Sequence, residues 1–261
     1  MDLELTGKTV FISGSTQGIG FSIASLCAAE GAAVIINGRT AQAVDNAVSR
    51  ILEEHPGSQV SGIAADFAEP EQVDSLLGRL GTIDVLVNNV GLFDVRPFTA
   101  IADEEWSHCL EVNLMSAVRL SRHLLPSMLE RGWGRIIFTG TESAVDVPED
   151  MIHYGVTKAA SLALSNGLAK LTRGTEVTVN TVLGGPTYSE GVADTVEQIA
   201  AAQSMPVEEL KSGLVRSTSL IRRFIAPAEI ASLVAYLASP RSSATNGAAL
   251  RADGGVLTTI V

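Results

Sequence analysis

The sequence predicts an α/β fold in which one domain is built around a doubly wound parallel sheet, with helices on both faces. Short runs rich in Val and Ile, typical of strands buried on both faces, alternate with longer stretches that carry apolar residues at helical spacing. This alternation favours a parallel sheet, and right-handed crossovers then wind it outward in two directions. Because ligands of such sheets bind at the carboxyl ends of the strands, we expect the functional site there.

Strands and helices are predicted in alternation along most of the chain. The predicted strands are residues 9–13 (TVFIS), 33–36 (AVII), 60–64 (VSGIA), 85–87 (VLV), 135–138 (RIIF) and 177–183 (VTVNTVL). The predicted helices include residues 19–30, 41–54, 70–80, 103–130 and 154–171, and a further helix is expected after residues 186–227. Two weakly amphipathic pieces, residues 192–202 and 206–214, interrupt this order after the last strand. They indicate a mobile substrate lid at about residues 187–226, with a packing excursion as the alternative.

Length and composition limit the function as well as the fold. The 261 residues are 46% hydrophobic and 18% charged, values typical of a folded globular enzyme, and neither a linker nor an internal repeat divides them. We therefore predict a single domain over residues 1–261. The formal charge of −11 argues against a nucleic-acid partner and against an anionic membrane, because both attract basic surfaces.

The cysteines and histidines argue against disulfides and a metal site. Cys27 and Cys109 are the only cysteines, too few for a disulfide framework or a four-ligand zinc site, and the 4 histidines have no ligand spacing. No apolar stretch reaches the roughly 18 residues of a membrane span, and Asp2 and Glu4 stand where a signal peptide carries positive charge. We expect a cytoplasmic protein with no bound metal.

A glycine-rich turn, GSTQGIG at residues 14–20, follows the first strand and opens directly into a helix. Glycines there permit a tight turn and let the backbone approach a pyrophosphate, whose charge is stabilised by the N–H groups and the dipole of the helix N-terminus. The pattern alone is weak, but its position in a βαβ unit predicts a dinucleotide site. The residues expected to contact the dinucleotide are Gly14, Ser15, Thr16, Gln17, Gly18, Ile19 and Gly20.

The end of the second strand favours NADPH over NADH. The chain reads Asn37-Gly38-Arg39 where a protein that prefers NAD usually places a carboxylate for the ribose hydroxyls. The Arg39 guanidinium instead offers a planar fork of donors for a 2′-phosphate, worth about 1.5 to 3 kcal/mol as a charged hydrogen bond. A solvated arginine in a turn is the alternative, since Gln17 stands where a second basic residue would support a phosphate.

Further motifs follow the later strands in order. They are Asp66 after the third strand, Asn88-Asn89-Val90-Gly91 after the fourth, Asn113 within a helix, and Tyr154-Gly-Val-Thr-Lys158 after the fifth. Together with the glycine turn, this order resembles the short-chain dehydrogenase/reductase family, and the resemblance extends over nearly the whole chain. It implies a single-domain Rossmann-type oxidoreductase, a homotetramer or homodimer, with a nicotinamide cofactor and a small carbonyl or alcohol substrate.

The resemblance also implies roles for the residues that follow the third and fourth strands. By position, Asp66 bonds the adenine amino group, while Asn88 and its neighbour Gly91 line the cofactor. Structural alternatives exist for these assignments, because Asp66 can cap the next turn and Asn88 and Asn89 can end a strand.

The residues after the sixth strand depart from the family pattern. The family tends to have Pro-Gly there, with its backbone against the nicotinamide carboxamide, whereas this chain reads GGPT at residues 184–187. Thr187 is the favoured side-chain contact, and Ser189 is the alternative. The other residues expected to contact the cofactor are Phe67, Val90, Gly185, Tyr154 and Lys158.

Tyr154 and Lys158 stand four residues apart and therefore share one face of a helix. A free tyrosine has a pKa near ~10, and a nearby ammonium lowers that pKa because it favours the phenolate. The resemblance implies that Tyr154 protonates a carbonyl oxygen as hydride reaches the carbon, and that Lys158 also holds the nicotinamide ribose. His153 is expected to take no part, because adjacent residues on a helix point about 100° apart.

A third hydroxyl is expected beside this pair. The family normally places a serine thirteen residues before the tyrosine, and this chain has Thr141 there. Threonine keeps the hydroxyl but restricts χ1, so Ser143 is the alternative donor. The resemblance adds Asn113 as a support of the proton relay. The predicted catalytic residues are Asn113, Thr141, Tyr154 and Lys158.

These residues predict an NADPH-dependent ketone reductase, or a secondary-alcohol dehydrogenase in the reverse direction. Pocket candidates are Leu92, Phe93, Val145 and Met151, which indicate hydrophobic substituents, while Glu142 is expected to be solvated or paired. A 3-oxoacyl-(acyl carrier protein) reductase is the first alternative, although the acidic carrier and this acidic chain repel each other. A non-catalytic NADP(H) sensor is the second, although a sensor has no need of the proton donor.

Overall fold

Among residues 2–203 and 205–260, which the computed structural model describes, seven strands form one parallel sheet. They are β1 (Thr9–Ile12), β2 (Ala33–Gly38), β3 (Gln59–Ala64), β4 (Val85–Asn88), β5 (Trp133–Thr141), β6 (Glu176–Gly184) and β7 (Ala249–Ala252). Their order across the sheet is β3-β2-β1-β4-β5-β6-β7, and every neighbouring pair is parallel. The chain runs outward from β1 on one side and from β4 on the other, which confirms the doubly wound sheet.

Helices cover both faces of this sheet. They are α1 (Gly18–Ala29), α2 (Ala41–Glu54), α3 (Pro70–Arg79), α4 (Asp103–Leu110), α5 (Ser116–Arg131), α6 (Ile152–Ala169), α7 (Glu190–Gln203), α8 (Val207–Gly213) and α9 (Pro227–Ala238). Val10 and Ile12 of β1 lie in one buried cluster with residues of α1 and α9, whereas Phe11 lies in a second cluster with residues of α3 and α5. Because successive strand residues face opposite sides, a sheet covered on both faces needs continuous apolar strands. Within the described ranges, no helix has both the length and the apolar character needed to cross a bilayer.

The structure differs from the sequence prediction in two elements. The helix predicted over residues 103–130 is divided into α4 and α5 by a π-helical turn, Glu111–Met115, which apolar periodicity does not reveal. The strand β7 was missed because it is short, contains Arg251 and is only partly buried at the edge of the sheet. The predicted single domain of residues 1–261 also includes Met1, Ser204 and Val261, which lie outside the described residues.

The segment predicted as a lid, residues 187–226, contains α7 and α8 and is hereafter the α7–α8 insertion. Its two ends lie together, because the Tyr188 N–H donates to the Ile225 carbonyl at 3.0 Å. An ion pair between Glu190 and Arg50 of α2, with 3.1 Å between Oε1 and Nη2, holds its first helix near the opposite half of the sheet. The insertion therefore spans the two halves at the carboxyl ends of the strands.

Candidate active site

Two adjoining cavities lie at the carboxyl ends of the strands. The first, of about 450 Å³, lies over the ends of β1 to β4 and is called the glycine-turn cleft. The second, of about 410 Å³, lies over the ends of β5 and β6 beside α6 and is called the Tyr154 pocket. Both are lined by Ile19, Asn89, Gly91 and Ser189, so they form one continuous depression. An elongated ligand can therefore place its two ends in different cavities.

The glycine turn forms the floor of the cleft and requires its glycines. Gly14 and Gly18 have φ of +62° and +59°, in the left-handed region that favours glycine. A Cβ added to Gly20 would lie 2.3 Å from the Gly14 carbonyl oxygen. The turn residues that line the cleft are Gly14, Thr16, Gln17, Gly18, Ile19 and Gly20.

Ser15 is a correction to the predicted contacts, because its side chain builds the turn and does not line the cleft. It is fully buried, and its Oγ donates to the Ile12 carbonyl at 2.7 Å. Asn37, which sequence reasoning did not assign to the site, completes this arrangement. Its Oδ1 accepts from the Gly14 N–H at 3.0 Å, and its Nδ2 donates to the carbonyl of Ile63 at 3.1 Å. The sequence carried a signal for this role, because Asn37 is a polar residue at the end of the otherwise apolar strand β2. A buried amide there needs hydrogen-bond partners.

The two asparagines after β4 have opposite directions. The Asn88 side chain is buried and its Nδ2 donates to the Ser121 Oγ at 3.2 Å, so it turns away from both cavities. Asn89, in contrast, lines both cavities, and its Nδ2 donates to the Gly14 carbonyl at 2.7 Å. Asn88, expected to line the cofactor, therefore does not line either cavity, whereas Asn89 lines both. Val90 and Gly91 line the cleft as expected.

The far end of the cleft carries the residues expected at the adenosine. Arg39, Asp66 and Phe67 all line it. Arg39 is exposed, and in the described part of the chain no hydrogen bond or ion pair engages its guanidinium. Asp66 also caps the turn after β3, as the structural alternative required, because its Oδ1 accepts from the Ala68 N–H at 3.0 Å. One carboxylate oxygen of Asp66 thus accepts a hydrogen bond within the turn, and the residue also lines the cleft.

These residues fit a nicotinamide dinucleotide. The glycine turn presents the N-terminus of α1 without an acidic residue in its first turn, which suits a pyrophosphate. Atoms of the turn itself already occupy the space that a Cβ of Gly20 would fill. The backbone of the turn is therefore compact where a dinucleotide would lie against it. Arg39 supplies at one end a cation with which no described residue pairs, and the Tyr154 pocket supplies polar groups at the other.

Tyr154 and Lys158 of α6 line the Tyr154 pocket together. The Lys158 amine donates to the Thr139 carbonyl at 3.2 Å and lies 5.9 Å from the centroid of the Tyr154 ring. Burial lowers the pKa of Lys158 to about 8. Burial first, and then the charge of Glu142, raise the pKa of Tyr154 above its usual value, whereas we expected Lys158 to lower it. The phenol therefore holds its proton at neutral pH.

Thr141 and Ser143 both line the pocket and both contact Glu142. The Thr141 Oγ1 donates to Glu142 Oε2 at 2.5 Å, and the Ser143 Oγ donates to Glu142 Oε1 at 3.4 Å. Thr141 partly opposes the upward shift in the Tyr154 pKa, so its side chain acts on the phenol as well as on Glu142. Glu142 is buried and paired with Arg216 of the α7–α8 insertion, as one of the expected alternatives had it.

Asn113 lies in the π-helical turn, and protein groups engage its side chain. Its Nδ2 donates to the Leu92 carbonyl at 2.9 Å and to Thr157 Oγ1 at 3.0 Å, and its Oδ1 accepts from the Leu92 N–H at 2.8 Å. The Ser161 Oγ donates to the Asn113 carbonyl at 3.4 Å. Asn113 therefore holds the segment after β4 against α6, and its part in a proton relay stays a prediction.

Residues at the end of β6 form the wall of the pocket opposite α6. Gly185 and Thr187 both line it, and their contact with a cofactor stays a prediction. The Thr187 Oγ1 donates to the Gly185 carbonyl at 2.8 Å, so that hydroxyl already has an acceptor. Ser189 lines both cavities. Its position between them keeps it as the alternative contact for a cofactor.

The predicted substrate pocket is partly corrected. Phe93 and Met151 line the Tyr154 pocket, and the Phe93 ring lies 6.2 Å from the Tyr154 ring, centroid to centroid. Leu92 lines the glycine-turn cleft instead, and Val145 is exposed and lines neither cavity. The loop after β5 presents Val145 to solvent because its short 3₁₀ turn, Glu142–Ala144, directs Glu142 and Ser143 inward.

Known proteins resemble this chain over its whole length. Residues 14–257 match a family model described as Enoyl-(Acyl carrier protein) reductase. An uncharacterized oxidoreductase, YvaG of Bacillus subtilis strain 168, is 43% identical over 100% of both chains. D-beta-hydroxybutyrate dehydrogenase of Cupriavidus necator is 31% identical over 96% of this chain and 98% of its own. The structure of L-sorbose reductase from Gluconobacter frateurii, complexed with NADPH and L-sorbose, is 32% identical, covers 100% of both chains and has a TM-score of 0.94.

Replacing Gly20 with alanine tests the glycine turn. The added Cβ would lie 2.3 Å from the Gly14 carbonyl oxygen and 2.5 Å from the Asn89 amide nitrogen, so the turn must shift. We expect the dissociation constant for NADPH, measured by fluorescence titration, to rise more than about tenfold. Gly78→Ala is the control, since a Cβ there meets nothing within 4 Å. Equal affinities in the two variants would contradict the assignment.

The lowered pKa of Lys158 predicts a pH dependence of cofactor binding. The amine is an ammonium below about pH 8 and neutral above it, and only the ammonium attracts an anionic dinucleotide. NADPH affinity should therefore fall as pH rises through about 8, by up to about tenfold per pH unit. Lys158→Arg keeps its charge, so its affinity, although different in size, should not fall over that range. A parallel fall in both proteins would assign the effect to another group.

Proposed function

This chain belongs to the short-chain dehydrogenase/reductase family of NAD(P)-dependent oxidoreductases, and from that premise we propose that it is an NADPH-dependent ketone reductase. In the reverse direction it is a secondary-alcohol dehydrogenase. The observation that carries the proposal is the convergence of Tyr154, Lys158 and Thr141 in a pocket continuous with the glycine-turn cleft. Such a pocket places a proton donor beside the end of a bound dinucleotide.

Tyr154 is the proposed proton donor to the carbonyl oxygen. Burial raises its pKa, so the phenol carries the proton that a reduced ketone takes up. Thr141 lies beside it and orients the carbonyl. When bound, NADPH supplies the hydride for the carbonyl carbon. Lys158 is an ammonium below about pH 8 and is the proposed contact of the nicotinamide ribose.

The proposed preference for NADPH rests on Arg39. Its exposed guanidinium follows β2, lines the glycine-turn cleft and has no partner among the described residues. A 2′-phosphate would receive the planar fork of donors that a guanidinium offers. L-sorbose reductase, whose structure is similar, is complexed with NADPH, which agrees with this choice. The described residues contain no group of three or more His, Cys, Asp or Glu side chains that could hold a metal ion.

A second candidate function is reduction of 3-oxoacyl groups on an acyl carrier protein. A relative described as 3-oxoacyl-[acyl-carrier-protein] reductase FabG, from Vibrio cholerae, is 30% identical over 97% of this chain and favours it. The formal charge of −11 opposes it, because an acidic carrier protein docks on basic surfaces. The non-catalytic sensor remains the alternative of another class, although Tyr154 and Lys158 share the pocket.

Assembly and location complete the proposal. The small residues Ala159 and Ala163 of α6 lie at the surface of a shallow cavity of about 420 Å³, where a second copy of the chain can approach closely. This supports the proposed homodimer or homotetramer. Cytoplasmic location stays a prediction from the cysteine content.

Replacing Arg39 with alanine tests the cofactor preference. Loss of a charged hydrogen bond to the 2′-phosphate should raise the dissociation constant for NADPH about 10- to 100-fold and leave that for NADH nearly unchanged. Isothermal titration with both cofactors measures this difference. Arg79→Ala, an exposed arginine at the end of α3, is the matched control. Equal losses for the two cofactors would refute the assignment.

Activity of the Tyr154→Phe variant tests the reaction. Wild-type protein should oxidise NADPH in the presence of ketones, measured by absorbance across small, aromatic and bulky ketones and a β-ketoacyl thioester. Without its phenol the variant should turn over about 10²- to 10⁴-fold more slowly while it binds NADPH normally. Tyr236→Phe, on α9, serves as the control for a general effect of losing a phenol. NADPH binding without turnover of any carbonyl compound would favour the sensor.

A further inference from the structure

Glu142 is a buried carboxylate in the Tyr154 pocket that proton and hydride transfer do not require. Its side chain is only 5% exposed, and it stands next to Thr141 in the chain. We propose that Glu142 is a specificity-determining residue that accepts a hydrogen bond from a hydroxyl group adjacent to the carbonyl of the substrate. The preferred substrate class is then an α-hydroxy ketone. This inference rests on the proposed ketone reduction and names its substrate.

The carboxylate is held at the pocket from three sides. The Thr141 hydroxyl at the end of β5 donates to Oε2 at 2.5 Å, and the Ser143 hydroxyl lies 3.4 Å from Oε1. Arg216 of the α7–α8 insertion pairs with Oε1 at 3.4 Å from its Nη2, and it lines the same pocket. A carboxylate can accept about four hydrogen bonds, and the bond from Thr141 to Oε2 is the one short bond among these three contacts. Glu142 therefore keeps acceptor capacity on the pocket side.

The cost of burying this charge decides what the pocket accommodates. A buried carboxylate is destabilising unless it is paired and hydrogen-bonded, and Arg216 is a distant and partly exposed partner. A purely apolar substituent against Glu142 would remove water and leave the remaining acceptor positions of the carboxylate without donors. A substrate hydroxyl would supply the missing donor. The carboxylate thus favours a hydroxyl and disfavours a methylene at that place.

Thr141 connects this recognition to the reaction. A threonine hydroxyl has one proton, and in the structure that proton goes to Glu142. When a substrate hydroxyl donates to Glu142 in its place, the Thr141 O–H can rotate toward the carbonyl oxygen beside Tyr154. A ketone without the hydroxyl leaves Thr141 committed to Glu142 and receives only the Tyr154 proton. The hydroxyl should therefore improve turnover as well as binding.

The lining of the rest of the pocket agrees with a substrate that is polar on one side. Thr141, Glu142, Ser143 and Arg216 form the polar side. The apolar side is formed by Phe93, Met151, Leu214 and Phe224. The apolar residues that the sequence predicted are thus only part of the pocket lining.

A pair of probes that differ in one hydroxyl tests the inference: 1-hydroxy-2-butanone and 2-butanone. Wild-type protein should favour the hydroxy ketone in kcat/KM by about 10- to 100-fold, the range for a hydrogen bond to a charged group. Glu142→Gln should lower this ratio several-fold, because an amide oxygen accepts a weaker hydrogen bond from the substrate hydroxyl than a carboxylate does. Glu149→Gln, an exposed carboxylate in the same loop, should keep the wild-type ratio.

A second variant keeps the test decisive if Glu142→Gln does not fold, as judged by circular dichroism and NADPH affinity. Arg216→Gln changes the partner of the carboxylate on the α7–α8 insertion, and it should lower the same ratio several-fold. A wild-type ratio near one, or an unchanged ratio in the folded variants, would overturn the substrate assignment and leave ketone reduction intact. Failure of wild-type protein to reduce either ketone or any other carbonyl compound would instead overturn the proposed function, and this inference with it.

Discussion

The parallel pairing of β1 with β2 on one side and β4 on the other is the constraint on which the site depends. Val10, Phe11 and Ile12 pair with both neighbouring strands, so three strands end at the same edge. Because the chain leaves β1 toward β2 and later returns to place β4 on its other side, the loops diverge there and open a crevice. The glycine turn lies in this crevice, and the other proposed cofactor contacts are positioned relative to it.

Two asparagine side chains hold the turn in place. Asn37 accepts from the Gly14 N–H and donates to backbone of the β3 end, while Asn89 donates to the Gly14 carbonyl and accepts from Thr139 Oγ1 at 3.1 Å. Leaving a buried amide without a partner costs about 1 to 3 kcal/mol, so turn conformations that break these bonds are disfavoured. The turn is therefore organised before any ligand arrives, which reduces the entropy lost on binding.

Sequence reasoning found the parts of the site that depend on spacing and missed those that depend on side-chain direction. Tyr154 and Lys158 were predictable because four residues separate neighbours on any helix face. Asn88 and Asn89 have the same side chain, and the parallel sheet decides that one faces α5 and the other the cleft. The Ser15 side chain likewise points inward, where its buried hydroxyl needs a partner and finds one in the Ile12 carbonyl. Most strands were predictable because burial on both faces requires apolar runs, whereas β7, at the edge of the sheet, escapes that requirement.

Burial sets the protonation of the reacting groups in a direction that spacing alone does not indicate. It raises the pKa of Tyr154 and lowers that of Lys158 to about 8, because a poorly solvated pocket disfavours both the phenolate and the ammonium. The carboxylate of Glu142 adds to the first shift. A protonated phenol suits a carbonyl oxygen that gains negative charge as hydride arrives, whereas oxidation of an alcohol must begin by making the phenolate. At neutral pH the phenol is therefore in the protonation state that the proposed reduction uses, and the carboxylate that accepts the Thr141 hydrogen bond helps to raise the pKa of Tyr154.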